Sequence, residues 1–177
     1  SSSSAASDVY KRQLSHGDWL IRLLKEAKKH RLHTAIETCG YASYEVLKEV
    51  INYLDVIFFD IKSMNDEKHK RYTGKSNQII LDNFKQLVQD AKTTKITART
   101  PVIPGFNDTV EELEEIQRFV AKGKNVSYEM LPYHRFGKGK YEMLGRTYPM
   151  GDVLLSEEIK TYIQKQNEKW RKKECQS

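Results

Sequence analysis

The sequence has little cysteine: two residues, Cys39 and Cys175, in a chain of 177. They stand far apart, so they define no disulfide framework, and such usage suits a reducing compartment such as the cytoplasm. Two thiolates are too few for a four-iron cluster, which normally takes three or four. Long apolar runs are missing as well. None approaches the roughly 18 residues needed to cross a bilayer, and Ser1–Gln13 holds no apolar stretch of the kind a signal peptide requires. Nor does one sign of charge dominate: 30 basic and 24 acidic side chains leave +6. The clusters Lys28–Arg31 and Arg171–Lys173 read as solvated helix ends, not as a stripe for nucleic acid.

What is present suits a soluble globular domain: 38% hydrophobic and 31% charged residues. Residues 1–13 read as a disordered or non-native leader, and residues 14–177 as the folded part. Trp19, Leu20, Leu23, Leu24 and Ala27 recur at helical spacing, which predicts a helix over Asp18–His30. Leu32–Glu37 reads as a strand, and Ser43 as the cap of the next helix. Val56-Ile57-Phe58-Phe59 is a continuous apolar run, as in strands buried on both faces of a parallel sheet. A broken helical region around Asn65–Tyr72 and a helix over Asn77–Ala91 follow. Lys95–Val102 is a third strand, which Pro104-Gly105 stops. Asp108, three residues before Glu111, resembles a capping box that starts a helix through Ala121. Val126–Leu131 is a fourth strand, Pro132–Asp152 a long loop, and Ser156 the cap of a last helix through Trp170. Strands alternating with helices predict an α/β fold of four parallel strands with flanking helices, either an open sheet or part of a larger barrel.

Ligands of such sheets bind at the C-terminal ends of the strands. The first strand brings Glu37 and Thr38 there. The second brings Asp60 and Lys62, two residues apart and so on one face. The third brings Arg99, and the fourth runs into His134. Each residue alone has an ordinary structural explanation, such as a surface ion pair or a satisfied loop histidine. Carboxylates, an ammonium, a guanidinium and an imidazole on one rim together suit a zwitterionic small molecule. Asp60 after two phenylalanines is costly to bury without a partner.

Four segments in order carry a resemblance: Glu37-Thr38-Cys39-Gly40-Tyr41, Phe59-Asp60-Ile61-Lys62-Ser63-Met64-Asn65-Asp66, Arg99-Thr100-Pro101-Val102-Ile103-Pro104-Gly105-Phe106-Asn107-Asp108 and Leu131-Pro132-Tyr133-His134. From about Asp18 onward the chain resembles the radical S-adenosylmethionine (SAM) activating enzymes of glycyl-radical enzymes, such as the pyruvate formate-lyase activase. The resemblance implies a (β/α)6 partial barrel, of which residues 14–177 would be the third to sixth βα units and the C-terminal helix. It implies SAM and a [4Fe–4S] cluster as cofactors. It places Glu37 and Thr38 at a cation or SAM contact, and Asp60 and Lys62 at the SAM amino acid or a monovalent cation. Arg99 and His134 match further SAM-proximal positions. The implied partners are a glycyl-radical enzyme and an electron donor such as flavodoxin or ferredoxin, with no nucleic acid and no membrane.

The family's CxxxCxxC and Gly-Gly-Glu-Pro motifs do not occur in this sequence. The chain therefore reads as a C-terminal fragment that is inactive as written, with Cys39 a small buried residue and not a cluster ligand. The basic loop Arg135–Arg146, with Lys138 and Lys140, is expected to contact the partner's glycine loop. Two alternatives stay open: a small α/β domain binding a phosphorylated metabolite, and a docking module without catalysis.

Overall fold

The amphipathic period that begins at Asp18 folds as helix α1 (Gly17–Lys29), with Leu20, Ile21 and Leu24 buried beneath it. The computed structural model describes residues 14, 17–135, 138–147, 150 and 152–174. The expected leader, residues 1–13, and Cys175 lie outside the described residues. After α1 come strand β1 (Ala35–Thr38), α2 (Tyr44–Val50) with a 3-10 turn, β2 (Val56–Asp60), α3 (Asp66–Thr73) and α4 (Gln78–Asp90). The chain continues through β3 (Lys95–Val102), α5 (Val110–Val120), β4 (Val126–Pro132), α6 (Lys138–Met143) and α7 (Glu157–Glu174). The four strands form one sheet in the order β1-β2-β3-β4, and every pair is parallel. The α/β architecture read from the sequence is therefore observed.

Several local expectations shift. β1 starts at Ala35, not Leu32, because α1 ends in a Schellman turn: Leu32 N–H donates to Ala27 O and Arg31 N–H to Lys28 O, both at 3.0 Å. Arg31 takes the left-handed position (φ 57°) that glycine usually fills. Ser43 makes no side-chain cap bond. The capping box of α5 lies one residue later than expected: Thr109 Oγ1 accepts from Glu112 N, and its hydroxyl donates to Glu112 Oε2. Asp108 instead accepts from Gly105 N. Ser156 does cap α7, accepting from Ile159 N at 3.2 Å. The long loop after β4 contains the short helix α6.

β2 is also not buried on both faces. Its exposure alternates, with Ile57 and Phe59 fully covered and Val56, Phe58 and Asp60 half-buried. β3 does the same, burying Ile96, Ala98, Thr100 and Val102. One face of the sheet is thus packed under helices, where Phe59 meets Phe84 at 5.3 Å. The opposite face carries Glu37, Phe58, Asp60, Thr97, Arg99 and Glu129, half-buried and continuous across the strands.

The two sheet edges differ. At β4, Asn167 of α7 pairs with the free backbone edge, accepting from Met130 N and donating to Met130 O, both at 2.9 Å. Trp170 stands edge-on to Tyr128 at 5.5 Å, and its indole N–H donates to Gln117. This is how a sheet edge is covered by a helix. β1 has no neighbouring strand on its outer side among the described residues. Lys25 of α1 faces α2 through Glu49 and the Tyr53 ring. Trp19 and Leu23, on the opposite flank of α1, are 55% and 50% exposed, and Leu32 is 57% exposed.

Candidate functional site

The rim at the C-terminal ends of the strands is built first from backbone constraints. Three buried asparagines tie its loops. Asn83 donates to Gly40 O at 2.7 Å and Ala42 O at 2.9 Å, which fixes the turn after β1. Asn77 donates to Ser63 O at 2.9 Å, beyond β2. Asn107 donates to Lys62 O and Pro101 O and accepts from Ile103 N, so one carboxamide joins the loops after β2 and β3. Beneath them, the Tyr128 hydroxyl donates to Thr100 Oγ1, and Thr100 donates to Ile61 O, each at 2.8 Å. Burial pushes the Tyr128 phenol well above its ordinary range, so it stays a neutral donor. Gly40 is required by its place: φ is +67°, and a Cβ would stand 2.2 Å from Phe59 Cζ.

On that frame four charged side chains converge. Arg99 is the direct register partner of Asp60 across the β2–β3 ladder. Its Nη2 reaches Asp60 Oδ1 at 3.3 Å and makes a second, shorter ion pair with Glu37. The other Asp60 oxygen meets Lys62 Nζ at 3.5 Å. The guanidinium carbon lies 4.8 Å from the centre of the Phe58 ring. The side chains of Arg99 and Asp60 are 12% and 15% exposed, whereas Glu37 is 44% exposed. Arg99 Nε is the one buried side-chain nitrogen or oxygen without a hydrogen-bond partner among the described residues. An unmet buried donor costs free energy, on the order of 1–3 kcal/mol, unless a ligand satisfies it.

The structure therefore brings together Glu37, Asp60, Lys62 and Arg99, and it turns Thr38 to the other face of the sheet. Thr38 is 5% exposed and points to the helix-packed face, where its hydroxyl accepts from Gly40 N at 3.0 Å. His134 follows β4 at the same rim with an exposed side chain. Cys39 is a free, partly buried thiol packed against the core. Two features were missed from sequence. Phe58 is the floor under the guanidinium, and Glu129 is the register partner of Arg99 on β4. Strand alternation alone would have placed both on the face of Asp60. In the expected docking loop, Phe136, Gly137 and the side chains of Lys138 and Lys140 lie outside the described residues.

The donor set bears on the cofactors. A zwitterionic amino acid suits this set, because Lys62 and the Arg99 guanidinium carry donors a carboxylate could use while Asp60 and Glu37 carry acceptors an ammonium could use. Among the described residues, no group of three or more His, Cys, Asp and Glu is arranged to hold a metal ion. With two cysteines in the sequence, the chain does not by itself provide the thiolates of a [4Fe–4S] cluster. No helix among the described residues is long and apolar enough to cross a membrane.

Residues 13–120 match the family model of the radical SAM superfamily. The chain is 45% identical over 143 residues to the isethionate sulfite-lyase activating enzyme of Oleidesulfovibrio alaskensis, covering 81% of this chain and 46% of that protein. It is 42% identical to the (2S)-3-sulfopropanediol sulfolyase activating enzyme of Bilophila wadsworthia, covering 81% of the chain and 48% of the relative. It is 38% identical to the 4-hydroxyphenylacetate decarboxylase activating enzyme of Clostridium scatologenes, covering 76% and 43%. The chain thus spans about half the length of these relatives. Its fold is also that of a crystallised domain of a pyruvate-formate lyase-activating enzyme from Bacteroides vulgatus, with a TM-score of 0.69 over 89% of this chain and 88% of that one, at 23% identity.

Proposed function

The chain belongs to the radical SAM superfamily, and from that premise we propose that it is the SAM-binding rim portion of a glycyl-radical-enzyme activating enzyme. Residues 14–177 are the third to sixth βα units and C-terminal helix of the partial barrel. The observation that carries the reading is the convergence of Glu37, Asp60, Lys62 and Arg99 on one face, with Arg99 Nε unmet. Three named activating enzymes among its relatives support the type of reaction.

When bound with a reduced cluster, SAM supplies a radical able to remove hydrogen from a glycine Cα of the partner. This chain's residues do the holding. Lys62 and the Arg99 guanidinium bind the amino-acid carboxylate, and Asp60 accepts from the ammonium. Phe58 keeps the guanidinium plane fixed, so the donor is aimed before ligand arrives; such preorganisation lowers the ordering cost of binding. The asparagine-tied loops hold the rim. The cluster ligands come from outside the residues of this chain, so the chain alone cleaves no SAM. The partner is a glycyl-radical enzyme, served by an electron donor of the flavodoxin or ferredoxin kind, in the cytoplasm. The segment Arg135–Arg146 faces that partner.

Calorimetric titration of the chain with SAM tests this reading. One-to-one binding is expected, weakened at least tenfold in Lys62→Ala. Absence of binding at millimolar SAM would sink it.

A further inference from the structure

The resemblance allows either a monovalent cation or a direct SAM contact at the carboxylates of this rim, and the structure puts a guanidinium there. The two carboxylates available, Glu37 and Asp60, both already pair with Arg99 Nη2. The second oxygen of Asp60 is engaged by Lys62 at 3.5 Å. Thr38, the third residue implied, turns its hydroxyl to the opposite face and accepts from Gly40 N. An alkali ion binds where several oxygens replace its water shell. Here three of the four carboxylate oxygens, Glu37 Oε1 and both of Asp60, already face a side-chain cation. The charges also cancel within the cluster, two carboxylates against one guanidinium and one ammonium. Glu129 stands at the register position opposite Arg99 on β4.

Arg99 is well placed to be permanent. Its side chain is 12% exposed, its guanidinium lies over Phe58, and its backbone is locked in register with Asp60. Guanidinium keeps its charge at every accessible pH and offers several donors in one plane. A metal ion would have to displace it from both carboxylates, which is costly for a side chain only 12% exposed.

We infer that Arg99 is a built-in cation that holds the Glu37–Asp60 pair in place of a bound monovalent metal ion. Arg99 is a positioning residue in this role. The inference rests on reading this rim as the ligand end of the sheet, but it is tested without ligand. A failure to bind SAM and a failure of this inference are therefore separate results.

The experiment is thermal unfolding of the ligand-free chain in KCl, NaCl and tetramethylammonium chloride at equal ionic strength. Wild type is expected to unfold at the same Tm in all three. Arg99→Ala and Arg99→Gln vacate the carboxylate pair, and each is expected to gain a Tm rise of about 3–6 °C in KCl or NaCl over tetramethylammonium. That is the size given by a roughly tenfold excess of ion over its dissociation constant. The gain should vanish when Glu37→Gln is added. An alkali-specific Tm rise in wild type that Glu37→Gln abolishes overturns the inference. So does a folded Arg99 variant that gains no cation dependence. Should neither Arg99 variant fold, the wild-type comparison still decides.

Discussion

Asp60 and Arg99 stand opposite each other in the β2–β3 ladder, and their side chains meet at 3.3 Å on the face not covered by helices. This pair joins the two central strands at the point where Glu37 and Lys62 also arrive. Replacing Asp60 by Asn keeps the shape but leaves Lys62 without its carboxylate and Arg99 with Glu37 alone. The expected cost is about 1–3 kcal/mol, because the groups are only partly buried and one pair survives. Urea unfolding measures it, and a loss below about 0.5 kcal/mol contradicts the assigned pairing.

Asn107 joins three backbone groups with one side chain and is fully buried. Asn107→Ala leaves a buried N–H and two carbonyls unmet. The expected loss is about 2–4 kcal/mol, at the upper end for a single hydrogen-bonding residue. Asn107→Asp should cost as much, since a carboxylate cannot donate to Lys62 O. Equal stability of the Asp variant and wild type at pH 7 would refute the donor role.

Two glycines with similar backbone angles should respond differently. Gly40 (φ +67°) has Phe59 ring atoms 2.2 and 2.5 Å from a would-be Cβ, while Gly105 (φ +74°) has nothing within 4 Å. Gly105→Ala should cost about 1 kcal/mol, the strain of the left-handed region. Gly40→Ala adds overpacking of the core, for about 3 kcal/mol or more. Similar denaturation midpoints for the two variants would contradict the packing assignment.

Acid sensitivity should appear at the start of α3. Asp66 is held down to about 2, first by the hydrogen bond from Lys70, then by Ser76 and the Asn77 N–H. A carboxylate whose folded pKa is depressed stabilises the fold above its unfolded value, near 3.9, and the contribution fades as pH falls through about 2. The protection of the Asn77 amide, its exchange corrected for the intrinsic pH dependence, should therefore fall between roughly pH 4 and pH 2. Asp66→Asn should remove that dependence; an unchanged profile in the variant would show that another group is responsible.

Among the described residues β1 has no strand on its outer side, and Trp19, Leu23 and Leu32, which precede it in the chain, are exposed. An open strand edge beside apolar surface favours association between copies. Sedimentation velocity of the chain should show concentration-dependent self-association, reduced by Leu23→Glu. A monomer at all concentrations for both proteins would contradict this.

Much of this was legible from sequence because parallel α/β folds place polar strand ends at one rim. The Asp60-x-Lys62 spacing put two charges on one face without any knowledge of the neighbours. What stayed hidden was register, which no local pattern encodes: Arg99 could be assigned to the rim, but not to Asp60. The face of Thr38 was hidden for a related reason. Thr38 is adjacent to Glu37 in sequence, and adjacency in a strand means opposite faces. Asn77 was read as a helix start and neither Asn83 nor Asn107 was given a role, since their partners lie up to 45 positions away. The late start of β1 was obscured because Arg31 adopts a backbone conformation that its side chain ordinarily disfavours.

The most direct measurement is a two-dimensional amide spectrum of the isotope-labelled chain titrated with SAM. The account predicts saturable shifts centred on Glu37, Asp60, Lys62 and Arg99, with the α7 edge around Asn167 unchanged. Shifts absent at saturating SAM, or confined to positions away from that rim, would contradict the assignment of this face as the SAM site.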